Sequence, residues 1–381
     1  MMQVPLSSPD ITELEKNAVL EVLNTAQLSL GPKLPAFEQA VAAYTGVKYA
    51  VAVNSGTSAL HLIVRALGIG EGDLVITTPF SFIASSNCFL FEKAIPVFVD
   101  IEPQTYNLDP VKVKTKIKEL KEQGQKVKAI LAVDVFGHPA DWAELEKIAQ
   151  EEDLFLIDDS CEAIGASYTS QGQTKKAGSF GDAGCFAFYP NKQITTGEGG
   201  IITTNKQNIY DLALSMRNQG RAVMGSAWLG HERLGYNYRL SDINCALGLA
   251  QMQRLPEILA KRQKVANYYL EQLQDVPGLN LPYIAPNVEI SWFVFVVRLA
   301  DQYTQQDRDQ IMQKLRTQGV QCNNYFVPIH YQPFYQQLFG YQEGDFPITE
   351  QIAQRTIALP FFSNLTNAQI DYVVATLKNA L

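Results

Sequence analysis

The segment GSFGDAGCFAFYPNKQITTGEGGIITT, Gly178 to Thr204, contains two strand-like runs joined by a glycine-rich turn. The fold of the rest of the chain is best interpreted from this segment. The apolar run CFAFY ends at Pro190, and Lys192 follows at once. Because proline is rigid and glycine allows close backbone approach, we predict that Lys192 projects from a fixed point into a cleft. A lone lysine at a strand end is otherwise usually solvated.

Other strand-like runs precede this segment and alternate with helical patterns. Strands are predicted at 49–53, 73–78, 95–100, 128–136 and 154–158, and helices at 57–67, 81–93, 110–123 and 140–151. This alternation predicts an α/β fold, with a mostly parallel central sheet flanked by helices on both faces. Ligands of such sheets bind beyond the carboxyl ends of the strands.

The length of 381 residues predicts a large domain and a smaller one. A helical stretch at 240–273 ends at VPGLN, which we expect to be a hinge. We assign residues 1–255 to a large domain with an N-terminal helical segment and residues 256–381 to a small C-terminal α+β domain. The small domain is predicted to contain a strand at 292–299 and helices at 304–318, near 348–356 and at 367–381.

Composition excludes several classes of partner. The net charge of −8 disfavours binding to nucleic acid or to anionic membranes. No apolar segment has the length of a membrane span, and the first residues lack the pattern of a signal peptide, so we expect neither. Five scattered cysteines without a CxxC motif are typical of free thiols in the cytoplasm, and four dispersed histidines without HExxH predict no metal site.

The stretch VNSGTSALHLIVRAL, 53–67, places small residues between a strand and a helix predicted to begin at Thr57 or Ser58. Free amides at a helix start, two hydroxyls and the permissive Gly56 form a cradle for phosphate. Serine and threonine also cap helices without any ligand, so both interpretations stay open.

The stretch LFLIDDSCEAIGASY, 154–168, ends a strand with Asp158 and Asp159. Alternation along a strand points neighbouring side chains to opposite faces, so at most one carboxylate faces a ligand directly. The other interpretation is a helix cap or a solvated turn. Together, an amine-bearing lysine, a phosphate cradle and a carboxylate for a ring nitrogen indicate pyridoxal 5′-phosphate.

The sequence resembles the DegT-type (DegT/DnrJ/StrS) aminotransferases of nucleotide-linked keto-sugars, with the aspartate-aminotransferase-like fold. The resemblance runs nearly end to end, and the run TTGEGG is most similar to perosamine synthases. The segments that carry it include LSLGPKLPAFEQAVAAYTGVKYAVAVNSGTSALHL, TPFSFIASSN, DDSCEAIGA, SFGDAGCFAFYPNKQITTGEGG, GYNYRLSDINCALGLAQM and VPIHYQPFY.

The resemblance implies a role for each matching position. Lys192 would form the Schiff base and shuttle protons, Asp159 would bind the pyridine nitrogen, Phe82 would stack on the ring, and Gly56, Thr57 and Ser58 would hold the phosphate.

Two positions depart from the family pattern. Glu162 stands where many relatives have Gln or His near the phenolic oxygen of the ring, and Ala187 replaces a serine that contacts the phosphate.

Asn237 would reach the cofactor of a second subunit, which implies a homodimer with shared active sites. His330 and Arg239 are candidate substrate contacts, although His330 is equally typical of a turn.

The implied reaction is amino transfer from L-glutamate to a nucleotide-linked keto-deoxy-sugar for polysaccharide biosynthesis, with pyridoxamine phosphate as the intermediate form of the cofactor. One alternative is a pyridoxamine phosphate-dependent sugar dehydratase, but such relatives carry His where Lys192 stands. A regulatory DNA-associated protein is a second alternative, which the acidic charge disfavours. An NAD-linked enzyme lacks its glycine fingerprint. The contacts to sugar and nucleotide are expected on loops at 221–234 and 323–341.

Overall fold

The computed structural model describes residues 2–222 and 230–381. The strands are β1 (Tyr49–Val53), β2 (Leu74–Thr77), β3 (Ile95–Phe98), β4 (Val127–Val133), β5 (Phe155–Asp159), β6 (Ser167–Ser170), β7 (Gln173–Lys176), β8 (Ala183–Ala187), β9 (Gly200–Thr204), β10 (Leu279–Asn280), β11 (Val288–Glu289), β12 (Phe295–Leu299) and β13 (Thr356–Leu359). The α-helices are α1 (Glu13–Leu23), α2 (Lys33–Thr45), α3 (Gly56–Ala66), α4 (Ala84–Leu90), α5 (Pro110–Glu122), α6 (Trp142–Glu152), α7 (Gln207–Arg217), α8 (Asp242–Leu273), α9 (Gln305–Thr317), α10 (Pro333–Phe339), α11 (Pro347–Ala353) and α12 (Asn367–Ala380).

The central sheet contains seven strands in the order β1-β9-β8-β5-β4-β2-β3. The strands from β8 to β3 pair in parallel, whereas β9 runs antiparallel to both β1 and β8. The predicted α/β fold with a mostly parallel sheet is confirmed. The antiparallel β9 is the strand GIITT, which returns directly after the glycine-rich turn.

Helices cover both faces of this sheet, as the alternation of side chains along β1 shows. Val51 and Val53 belong to a core cluster that includes residues of α3, α4 and α7. Ala50 and Ala52 belong to a different cluster, with residues of α2 and α8. A third cluster packs α5 and α6 against β2 and β4. The inner strands of the sheet are therefore buried on both sides, and this burial explains their nearly continuous apolar sequences.

A second core lies around the three-stranded sheet β10-β12-β13 and contains apolar residues of α9, α12 and the second half of α8. Val4 joins this core and pairs with Val320. The N-terminal segment therefore packs with the C-terminal residues. The predicted boundary after residue 255 falls inside α8, which continues without a break to Leu273. Within the described ranges, no helix combines the length and the apolarity that crossing a membrane requires.

Candidate active site

The carboxyl ends of β1, β5 and β8 lie along one stretch of the sheet and border a cavity of about 680 Å³. The first residue of β9, Gly200, pairs with Val53 on one side and with Ala187 on the other. Asp159 at the end of β5 pairs with Cys185 of β8. Six residues that the sequence predicted as site residues line this cavity: Gly56, Thr57, Phe82, Asp159, Glu162 and Lys192.

The start of α3 forms one wall of the cavity. The helix begins at Gly56, one residue earlier than predicted, because the Ser55 side chain caps it by accepting the N–H of Ser58 at 3.0 Å. The first amides of a helix have no partner within it, so those of Gly56 and Thr57 are available to an anion. Ser58 is buried, and its hydroxyl donates to Asn54 Oδ1 at 2.7 Å.

The two aspartates at the end of β5 have separate partners. Asp159 borders the cavity, where Oδ2 accepts a hydrogen bond from Ser85 Oγ at 2.7 Å and Oδ1 accepts the N–H of Cys161 at 3.2 Å. Asp158 is fully buried and accepts the backbone N–H groups of Gly178 at 2.8 Å and Phe180 at 3.3 Å. The two hydrogen bonds fix the orientation of the Asp159 carboxylate beside the cavity.

The amine of Lys192 lies inside the cavity and close to a second carboxylate. Its Nζ is 3.6 Å from Glu162 Oε1 and 4.0 Å from the ring centroid of Phe293. Glu162 Oε2 accepts the N–H of Phe136 at 2.9 Å. Burial raises the pKa of Glu162, and Lys192 opposes this rise. The lysine side chain, only 13% exposed, is held between an acid and an aromatic face.

A buried pair of acids lies behind this wall, and the sequence analysis did not identify it. Ser160 Oγ is 2.7 Å from Asp134 Oδ2 and 2.5 Å from Asp158 Oδ1. One hydroxyl hydrogen satisfies only one of the two oxygens, so the cluster favours a proton on one carboxyl. Burial raises the pKa of Asp134 to about 7, and burial with the neighbouring Asp134 carboxylate raises the pKa of Asp158 further.

The remaining predicted residues have different surroundings. Phe82 borders the cavity with 62% of its surface exposed. Asn237 is exposed and is not among the residues that line the cavity of its own chain. Arg239 donates to Asn218 Oδ1 at 3.0 Å.

His330 is fully buried, contrary to the expectation of a substrate contact. Its Nε2 lies 3.0 Å from Glu350 Oε1, and burial lowers the pKa of the ring despite this carboxylate. No ring atom of His330 reaches the cavity surface, so its position favours packing beside Glu350. The alternative that the sequence left open, a structural residue in a turn, accounts better for this placement.

The C-terminal part of the chain contributes an aromatic wall to the cavity. Phe293, Tyr325 and Phe326 line the cavity, and the rings of Tyr325 and Phe326 stack with centroids 5.2 Å apart. No local motif marks these side chains, because they reach the site only when the C-terminal part of the chain packs against the central sheet.

Comparison with known proteins agrees with this geometry. The model described as DegT/DnrJ/EryC1/StrS aminotransferase family matches residues 9–378. GDP-perosamine synthase of Caulobacter vibrioides is 36% identical, with 100% of this chain and 98% of the relative covered. The putative pyridoxal phosphate-dependent aminotransferase EpsN of Bacillus subtilis is 32% identical, with coverage of 98% and 95%. Helicobacter pylori PseC, an aminotransferase involved in the biosynthesis of pseudoaminic acid, has a TM-score of 0.91 and 29% identity, with coverage of 100% and 99%.

The fold and the cavity define a pyridoxal phosphate-dependent aminotransferase, as predicted. The chain belongs to the DegT/DnrJ/EryC1/StrS aminotransferase family. The predictions of the family, of a sugar aminotransferase and of pyridoxal phosphate as the cofactor are confirmed. The roles of the individual residues remain predictions.

Proposed function

We propose that this enzyme transfers the amino group of L-glutamate to the keto group of a nucleotide-linked deoxy-sugar during the synthesis of a cell-surface polysaccharide. The observation that carries this proposal is one cavity that borders the start of α3, Asp159 and Lys192 together. A GDP-linked sugar is the first acceptor to test, because three relatives are GDP-perosamine synthases. Pyridoxamine phosphate would be the form of the cofactor that carries the amino group between the two substrates.

The residues of the cavity fit pyridoxal phosphate. The α3 amides of Gly56 and Thr57 would bind the phosphate, together with Ser58 if its hydroxyl leaves Asn54. Ala187 supplies no hydroxyl for this contact. The amides at the helix start would therefore stabilise a larger share of the negative charge of the phosphate. Phe82 offers an exposed ring to cover the pyridine.

Asp159 is the proposed partner of the pyridine nitrogen. Ser85 and the N–H of Cys161 donate hydrogen bonds to this carboxylate and fix its orientation. A close ion pair is worth about 4 kcal/mol of Coulomb attraction at an effective protein dielectric, before desolvation. Part of that energy is enough to keep a proton on the ring nitrogen at neutral pH, since each pKa unit corresponds to roughly 1.4 kcal/mol. The bound cofactor then supplies an electron sink for the substrate carbanion.

Lys192 is the proposed attachment point and proton carrier. Its Nζ would take a proton from the α-carbon of the amino donor and, in the second half of the reaction, would deliver a proton to the sugar carbon that receives the nitrogen. Glu162 and Phe293 limit the positions open to this amine. Glu162 would also bind near the phenolic oxygen of the ring, where its raised pKa favours a carboxyl that donates a hydrogen bond.

We propose that the enzyme is a homodimer in the cytoplasm. The exposed Asn237, which is not part of the cavity of its own chain, supports a contact with the cofactor of a partner subunit. Five free cysteines support a reducing compartment. Arg239 and the loops at 221–234 and 323–341 would contact the substrates, although residues 223–229 lie outside the described residues.

The test combines absorbance with turnover. The purified enzyme should be yellow and should lose its visible band when L-glutamate is added. Lys192→Ala should lose both the visible band and all transfer, because no amine remains to hold the cofactor. Lys118→Ala, at a side chain that is 80% exposed, is the matched control and should behave like wild type.

The acceptor is identified by incubating a panel of nucleotide-linked keto-sugars with L-glutamate, and NMR of the product distinguishes amination at C3 from C4. Turnover that persists in Lys192→Ala would refute the assignment of the lysine. A sugar consumed without consumption of glutamate would indicate a dehydratase instead.

A further inference from the structure

Two thiols and a carboxylate form a cluster beside the cavity, and the proposed amino transfer gives the thiols no role. The Sγ atoms of Cys161 and Cys185 are 3.5 Å apart, and Cys185 Sγ lies 3.7 Å from Asp159 Oδ1. One oxygen of Asp159 and the two sulfurs all lie within 4.8 Å of one another. The pairing of Asp159 with Cys185 between β5 and β8 assembles this cluster from two separate stretches of sequence.

Two of the three separations in this cluster match the edges of a tetrahedral metal site. A Zn²⁺ ion bonded to sulfur at about 2.3 Å and to oxygen at about 2.0 Å holds two sulfurs about 3.8 Å apart and a sulfur and an oxygen about 3.5 Å apart. Both observed separations lie within a few tenths of an ångström of these values. Asp159 and Cys161 line the cavity, so a fourth ligand position would open towards it.

We propose that the cofactor-free enzyme binds one thiophilic divalent cation, such as Zn²⁺ or Cd²⁺, through Asp159, Cys161 and Cys185. Two metal–sulfur bonds and one metal–oxygen bond form, both thiol protons leave to solvent, and no electron is transferred. Because the same carboxylate is assigned to the pyridine nitrogen, the cation and pyridoxal phosphate exclude each other. That last step rests on the proposed function, whereas metal binding does not.

The test titrates the cofactor-free full-length enzyme with Cd²⁺ and follows thiolate-to-metal charge-transfer absorbance. We expect one equivalent to bind, with release of two protons. Cys161→Ser and Cys185→Ser should each weaken binding by at least about tenfold, since a hydroxyl is a poor ligand for a soft metal. Cys245→Ser, at a buried thiol in another core cluster, is the matched control and should bind like wild type. Thermal melts identify any variant that does not fold.

Absence of the absorbance band, or unchanged binding in both cysteine variants, would overturn the metal site. Competition is measured separately, as the rate of pyridoxal phosphate uptake with and without one equivalent of Cd²⁺. Slower uptake in wild type, but not in Cys161→Ser, is expected. If Cd²⁺ binds through the thiols and uptake is unchanged, the metal site stands and the assignment of Asp159 to the cofactor fails.

Discussion

Asp158 and Asp159 are neighbours in sequence with different surroundings, because a strand points successive side chains to opposite faces. Asp159 borders the cavity and accepts hydrogen bonds from Ser85 and from the N–H of Cys161. Asp158 is bonded to backbone N–H groups and to Ser160, away from the cavity. The pair therefore provides a test in which the same chemical change is made at adjacent positions.

Asp159→Asn should keep the cofactor but slow turnover by about two orders of magnitude, because an amide does not stabilise a proton on the ring nitrogen. Asp158→Asn is the control: its amide still accepts the N–H groups of Gly178 and Phe180 and donates to Ser160, so turnover should stay near wild type. The turnover rates of both variants are measured with L-glutamate at saturating concentrations of the cofactor. A slow Asp158 variant beside a fast Asp159 variant would reverse the assignment.

Asp134 predicts how stability depends on pH. Burial raises its pKa from 3.8 to about 7, despite hydrogen bonds from Ser160, Ala140 and Trp142. A carboxyl with a raised pKa holds its proton more tightly in the folded protein than in the unfolded chain. The stabilisation that the protonated Asp134 provides is therefore complete below about pH 4 and is lost as the pH rises through about 7. Asp134→Asn should therefore gain about 2 to 3 kcal/mol of stability relative to wild type as the pH rises from 5 to 8, because the wild type loses about 1.4 kcal/mol for each pH unit below the folded pKa.

Urea denaturation at pH 5 and pH 8 measures this difference in the free energy of unfolding. Asp301→Asn, at a side chain that is 87% exposed, is the control. Its free energy of unfolding should differ from that of the wild type by the same amount at both pH values. An Asp134 variant that loses the same stability at both pH values would show that the carboxyl is ionised in the folded protein.

At the scale of elements, β9 packs directly against the start of α3. A Cβ atom at Gly200 would lie 2.4 Å from the carbonyl carbon and oxygen of Ser55 and 2.6 Å from the nitrogen of Gly56. Backbone atoms cannot yield as a flexible side chain does, so this contact requires glycine. The antiparallel strand thereby holds the proposed phosphate site beside the end of β8, from which Lys192 follows.

Gly200→Ala should displace the first turn of α3, weaken cofactor binding by about tenfold or more and lower the melting temperature, because the added methyl group forces the backbone apart. Gly70→Ala is the matched control, since a Cβ there meets no atom within 4 Å. Fluorescence titration with pyridoxal phosphate and a thermal melt measure both effects. Wild-type affinity in Gly200→Ala would mean that the helix start tolerates displacement.

At the scale of the whole molecule, the proposed homodimer predicts complementation between two inactive variants. Lys192→Ala lacks the amine, and Asn237→Ala lacks the proposed contact with the partner's cofactor. When equal amounts are mixed and allowed to exchange subunits, half of the dimers carry one intact site, which should restore about a quarter of wild-type activity. Subunit mass measurements confirm the exchange. Exchange without recovered activity would show that each chain holds a complete site.

Much of the large sheet was predictable, because buried parallel strands give apolar runs and helices give periodic ones. The helix predicted at 110–123 is observed as Pro110–Glu122, where Asp109 caps the first turn. The helical stretch predicted at 240–273 is observed as Asp242–Leu273, so the assigned domain boundary after residue 255 lies inside this helix. Pro256 is the internal proline of that helix, so a residue that often ends a helix does not end this one.

The sequence alone determined the α/β architecture, the aminotransferase family and the candidates Lys192 and Asp159, because strand periodicity, turn residues and motifs are local signals. Tertiary structure decided the rest: the burial of His330, the aromatic wall beside the lysine, the contact of Asp134 and Asp158 with the same serine hydroxyl, and the thiol cluster. These features join residues far apart in the chain, and their distances arise only when the strands pair and the helices pack.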